Sequence, residues 1–147
     1  MMFWDSSAII PLCIDEPKTK IVQHIIREDS AIAVWWGSLI ECYSAFARLR
    51  REGFLKSREE DQIRHLLTII SHTWTEIEPS EDIRDIAGRL LMTHPLQAAD
   101  SLQLSAALIW AGKKAKGHHF VCLDLRLREA ARKEGFILLP SVLQTGN

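Results

Sequence analysis

Short apolar runs alternate along this chain with longer stretches whose apolar residues recur every three or four positions. Residues 2–4 read as a buried strand ending at Asp5, and residues 6–13 as a brief helix broken near Pro11 and Pro17. Pro17 suits the start of a further helix with Ile21, Val22 and Ile25 on its apolar face. Residues 31–36 form a second strand run, after which Gly37-Ser38 opens a helix over 39–52 that stops at Gly53. Ser57 followed by Glu60 is a capping-box pattern, and Ile63, Leu66, Leu67 and Ile70 repeat at helical spacing behind it. Residues 74–77 predict a third strand, and Ser80 caps a helix carrying Ile83, Ile86, Ala87, Leu90 and Leu91.

Beyond Pro95, a helical stripe of Ala98, Leu102, Ser105 and Ile109 carries Asp100 near its start. Residues 120–123 are a strand, 125–133 a helix stopped by Gly135, and 136–139 a last strand. Strands that alternate with helices pair in parallel. The expected fold is therefore α/β, a three-layer α/β/α sandwich around a mostly parallel central sheet. No repeat or linker divides the 147 residues, so residues 1–140 are expected to form one domain with 141–147 as a tail.

In such sheets ligands bind outside the carboxyl ends of the strands. Four acids fall at or near that edge: Asp5 and Asp124 directly after apolar strands, and Glu41 and Asp100 in the first turns of helices. Each alone is equally well read as a helix cap or first-turn acid. Capping does not require clustering, however, and converging carboxylates repel unless a cation relieves them. Oxygen donors without a thiol or imidazole suit magnesium, with manganese as a substitute, rather than zinc or copper. Asp5 and Asp100 are the first choices as direct ligands, with Glu41 and Asp124 holding coordinated waters or a second ion. Such a site activates water for phosphodiester hydrolysis. Ser6 and Ser7 suggest either caps of the next helix or partners of a ligating carboxylate or substrate phosphate.

Charge and composition narrow the alternatives. With 18 basic against 19 acidic residues, bulk electrostatics would not hold nucleic acid, so any such role needs a local patch. Arg48, Arg50, Arg51, Lys113, Lys114, Lys116, Arg126 and Arg128 are available, and Arg126 is favoured for its closeness to Asp124. Trp35 and Trp36 cannot both face the core from one strand, leaving one for a base, a helix or a subunit interface. Cys13, Cys42 and Cys122 share no metal or disulfide spacing, and His65, His72 and His118-His119 complete no zinc motif. The apolar runs are too short to cross a bilayer and the first residues lack a signal-peptide pattern, so a cytoplasmic protein without membrane association is expected.

Four segments resemble, in order, those of PIN domains: FWDSSAIIPL with Asp5, SLIECYSAFARLRREG with Glu41, HPLQAADSLQLSAAL with Asp100, and FVCLDLRLREAARKEGF with Asp124. The resemblance spans residues 2–140 and is closest to the VapC toxins of toxin–antitoxin pairs. It implies a magnesium-dependent endoribonuclease, usually a homodimer, that acts on RNA and is inhibited by a cognate antitoxin whose C-terminal segment fills the active-site groove. The family's acids fall on Asp5, Glu41, Asp100 and Asp124, and its hydroxyl position on Ser6. Trp35-Trp36 and Ser101 depart from the family's usual residues. The rivals are a catalytically silent PIN-fold module that binds RNA or a protein, and a receiver domain. The receiver needs an acid pair after the first strand, where this chain has Asp5-Ser6-Ser7.

Overall fold

Within each central strand, side chains alternate between two separate cores, as a sheet covered on both faces requires. Met2, Trp4, Ile32, Val34 and Val121 enter one core, whereas Phe3, Ala33, Trp35, Phe120 and Cys122 enter the other. The computed structural model describes residues 1–143 and contains β1 (Met2–Trp4), α1 (Ser6–Cys13), α2 (Thr19–Glu28), β2 (Ile32–Trp35), α3 (Ser38–Arg51) and α4 (Ser57–Ser71). These are followed by β3 (Thr75–Ile77), α5 (Glu81–Thr93), α6 (Ala98–Trp110), β4 (His119–Val121), α7 (Leu125–Glu134) and β5 (Ile137–Leu139). The expected tail lies outside the described residues from position 144 onward.

The five strands are ordered β3-β2-β1-β4-β5, and every pairing is parallel. Helices α1 to α4 supply Ile9, Val22, Phe46 and Leu67 to one core, and α5 to α7 supply Leu90, Leu104 and Leu127 to the other. The expected α/β/α sandwich is therefore observed. Stacking of Phe3 on Phe120, with ring centroids 5.5 Å apart, packs β1 against β4 within the second core. That pair of strands is also where the chain's progress across the sheet reverses, from β1 outward to β3 and then to β4 on the other side.

Three local expectations are corrected. Helix α1 runs through buried Pro11 without breaking, because the ring removes only one backbone donor and the chain closes normally with Ile14 N–H donating to Ile10 O. At α4 the cap lies one residue earlier than expected. The Glu59 carboxylate accepts from the Lys56 N–H at 3.1 Å, which frees Glu60 to sit buried between Arg50 and Arg64. In α5, Leu91 is exposed while Ile83, Ala87 and Leu90 are buried.

Trp35 and Trp36 divide as strand geometry demands: Trp35 is packed into a core, and Trp36 is 53 % exposed. The Trp35 indole lies over Gly37, where an added Cβ would meet its Nε1 at 2.5 Å. A side chain there must displace a buried ring. Gly37→Ala is expected to cost roughly 1–3 kcal/mol in chemical denaturation, accompanied by a change in tryptophan emission.

Candidate metal centre

Each of the four acids is placed by a different turn or helix. Asp5 follows β1 and caps α1, its Oδ2 accepting from the Ser7 N–H at 3.1 Å. Asp124 follows β4 and caps α7, its Oδ1 accepting from the Leu127 N–H at 2.9 Å. Glu41 and Asp100 occupy the first turns of α3 and α6. The capping and first-turn roles read from sequence are thus real, and they coexist with convergence: all four acids line one cavity of about 440 Å³ at the carboxyl edge of the sheet. Asp5 and Asp124 flank the β1–β4 reversal, where an open parallel sheet leaves a crevice between strand ends.

The two serines are not caps, since Asp5 itself takes that role. The Ser6 hydroxyl donates to Glu41 Oε1 at 3.2 Å. The Ser7 hydroxyl accepts from the Leu123 N–H at 2.9 Å and lies 3.8 Å from Cys122 Sγ, tying α1 to the loop that carries Asp124. Gln103, which pattern reading passed over, donates from Nε2 to Glu41 Oε2 at 2.8 Å. Its signal in sequence was faint: a polar residue one helical turn beyond Asp100 within an otherwise apolar stripe. Both oxygens of Glu41 therefore have protein donors, whereas the Ser7 N–H and the Cys122 thiol both donate to Oδ2 of Asp5.

The electrostatics show the cost of gathering the acids. Burial pushes the Asp5 carboxyl up to about 6, with further upward pressure from Asp100 and Asp124, against the Ser7 hydrogen bonds. Burial likewise lifts Glu41 to about 7; the Gln103 bond opposes this and the Asp5 charge adds to it. Asp100 is raised by burial and then by Asp124, with the Gln97 backbone and Arg126 working the other way. Arg126 is exposed and does not line the cavity, while Arg48 does so as its one cation among the described residues. Arg50 is engaged by Glu60, and Arg128 donates to the carbonyls of Cys122 and Pro140.

The donor set suits a hard cation. Only oxygen atoms belong to the four acids and the serines beside them, and hydrogen bonds from Ser7, Ser6 and Gln103 offset only part of the upward pressure on Asp5 and Glu41. Among the described residues no three His, Cys, Asp or Glu side chains form a ready-made ligand cluster; the acids line the cavity without closing on one point. Magnesium does not need such a cage, since it typically keeps several waters and takes one or two carboxylates. The three cysteines are free and buried. No described helix is long and apolar enough to cross a membrane.

Known structures share this architecture at low sequence identity. The chain covers 94% of its length, and 97% of the other chain, on a structure of VapBC2 from Rickettsia felis bound to a DNA fragment from their promoter, with 14% identity and a TM-score of 0.68. It matches VapC20 of Mycobacterium tuberculosis, a sarcin–ricin-loop-cleaving toxin, over 98% of this chain and 100% of that one, with 15% identity and a TM-score of 0.66. FitAcB from Neisseria gonorrhoeae matches over 90% of this chain and 94% of that one, with 13% identity and a TM-score of 0.64. No family model and no curated protein sequence matches. The fold is that of the PIN-domain toxins, in agreement with the resemblance of the four acid-bearing segments.

The Asp5 shift carries a stability consequence. The folded state holds the Asp5 proton more tightly than the unfolded chain, so this contribution is full below about 3.8 and is lost as pH rises through about 6. That difference corresponds to on the order of 3 kcal/mol. In chelator, the wild-type melting temperature is expected to fall across that window. Asp5→Asn should flatten the fall and melt higher than wild type at neutral pH, as scanning calorimetry at several pH values would show.

Proposed function

We propose that this chain is a magnesium-dependent endoribonuclease and the toxin of a VapBC-type toxin–antitoxin pair. The observation that carries the reading is the convergence of Asp5, Glu41, Asp100 and Asp124, from four separate elements, on one cavity at the carboxyl edge of a PIN fold. Asp5 and Asp100 are assigned as the direct ligands. Glu41 and Asp124 are assigned to hold coordinated water or a second ion.

Bound magnesium or manganese would supply an activated water and offset charge on the phosphoryl oxygens. The chain's own groups do the rest. Glu41, held on both oxygens, presents a fixed acceptor for one proton of the attacking water. Its elevated proton affinity suits that task near neutral pH. Arg48, on the cavity wall, pairs with a phosphate of the RNA and keeps the strand in register, a role for which it is better placed than Arg126. The attacking oxygen bonds to phosphorus as the leaving ribose oxygen departs on the opposite side.

The partners follow the same reading. The similar structures include VapBC and FitAB assemblies and a toxin–antitoxin complex, and we assign this chain a cognate antitoxin, a homodimeric state and a cytoplasmic location. An apolar groove of about 850 Å³ adjoins the acid cavity and shares Ser7, Ile10, Ala45 and Arg48 with it. An antitoxin segment seated there covers Arg48 and blocks the approach to the acids.

Purified protein is expected to cleave single-stranded RNA with magnesium or manganese and to stop in EDTA. Asp5→Asn and Asp100→Asn should each reduce cleavage by at least about a thousandfold, the loss of roughly 4 kcal/mol of transition-state stabilisation, while circular dichroism stays that of wild type. Full activity in either variant or in EDTA removes the mechanism, and folded protein that binds manganese neither calorimetrically nor by cleavage is a silent PIN module. Arg48→Ala should raise KM for RNA several-fold more than it lowers kcat, whereas Arg126→Ala should change either by less than about twofold.

A further inference from the structure

Gln103 is a buried polar residue with one amide atom left unmatched. It is fully buried, on the same helix as Asp100 and three residues beyond it, so the two share a face of α6. Its Nε2 donates both to Glu41 Oε2 at 2.8 Å and to the hydroxyl of buried Ser38 at 2.9 Å, and Ser38 and Glu41 both belong to the first turn of α3. Its Oε1 is buried and meets no donor among the described residues. An unmatched buried carbonyl costs stability, and an apolar side chain of the same volume would fill the space without that cost. The amide is therefore not accounted for by packing. Its one productive arrangement is the bridge from the second turn of α6, one turn beyond Asp100, to the first turn of α3, which carries Glu41.

We propose that Gln103 is a positioning residue that fixes the Glu41 carboxylate relative to Asp100, and so sets the spacing of the acids that receive the metal. Among the described residues, the other side chain that tethers the Glu41 carboxylate is Ser6, at 3.2 Å. Without the amide its carboxylate can swing about its side-chain torsions, and metal coordination and water placement both lose definition. Gln103 touches neither substrate nor ion, so its effect falls on metal affinity and turnover and leaves the hold on RNA unchanged. This inference rests on the nuclease reading above for its functional consequence, though the bridge itself does not.

The test compares wild type with Gln103→Met, which keeps the volume and removes the donor, using manganese calorimetry, steady-state cleavage of a fluorophore-quencher oligoribonucleotide, and NMR of the Gln103 side-chain amide in wild type. Gln103→Met is expected to stay folded with a somewhat lower melting temperature, since buried Ser38 loses its partner, to weaken manganese binding about tenfold, and to lower kcat on the order of 10–100-fold with little change in KM. The wild-type amide protons should exchange slowly, and faster in Glu41→Ala. Manganese affinity and kcat within twofold of wild type in folded Gln103→Met overturn the proposal, as do amide protons that exchange like those of an exposed glutamine. A wild-type protein that neither binds manganese nor cleaves RNA defeats the nuclease reading instead, and the amide exchange then decides the bridge alone.

Discussion

Like charges crowded at one edge of a parallel sheet set the terms for the rest of this molecule. Asp5 is nearly inaccessible to solvent, and Glu41 and Asp100 are partly so. Burial dominates the upward displacement of all three, and each feels at least one other acid of the group. Among the described residues the one basic side chain on the cavity wall, Arg48, is exposed, and Arg126, outside that wall, offsets part of the pressure on Asp100. A fold that keeps such an arrangement trades stability for a place where positive charge is wanted.

The architecture holds the acids against this repulsion in two ways. Asp5 and Asp124 are fastened to adjacent paired strands and are further linked through Ser7, whose hydroxyl receives the Leu123 N–H. Their own carboxylates cap the helices that follow, so the repulsion is partly offset by backbone donors at two helix N-termini. Glu41 and Asp100 lie instead on helices, where side-chain bridges rather than strand pairing decide their separation. One half of the site is thus built from main chain and the other from side chains.

This division explains what could be read from the sequence. Strands, helices and their alternation were legible because apolar periodicity and Gly, Pro and Ser punctuation are local. The acids were legible because each stands beside a strand end or opens a helix, and their order matches a known set of segments. Pro11 misled because a single missing donor does not stop a short helix that is otherwise buried. Glu60 misled because the capping-box spacing is satisfied one residue earlier, by Lys56 and Glu59. Arg126 was favoured for its sequence distance to Asp124, and Arg48, which lines the cavity from α3, lies far from Asp124 in sequence. Gln103 stayed hidden for the same reason: its partners, Ser38 and Glu41, are 65 and 62 residues distant.

The pairing of β1 with β4 brings Asp5 against Cys122 across a separation of 117 residues. Contacts of that range must meet a large loop-closure cost before they contribute. Synthesis runs from the N-terminus, so β4 emerges after the segments that carry Asp5, Glu41 and Asp100. An emerging chain therefore holds Asp5, Glu41 and even Asp100 without the frame that brings them together. For a chain proposed to cut RNA, that order makes topology itself a timer: the cavity stays open-framed until β4 has been made and paired.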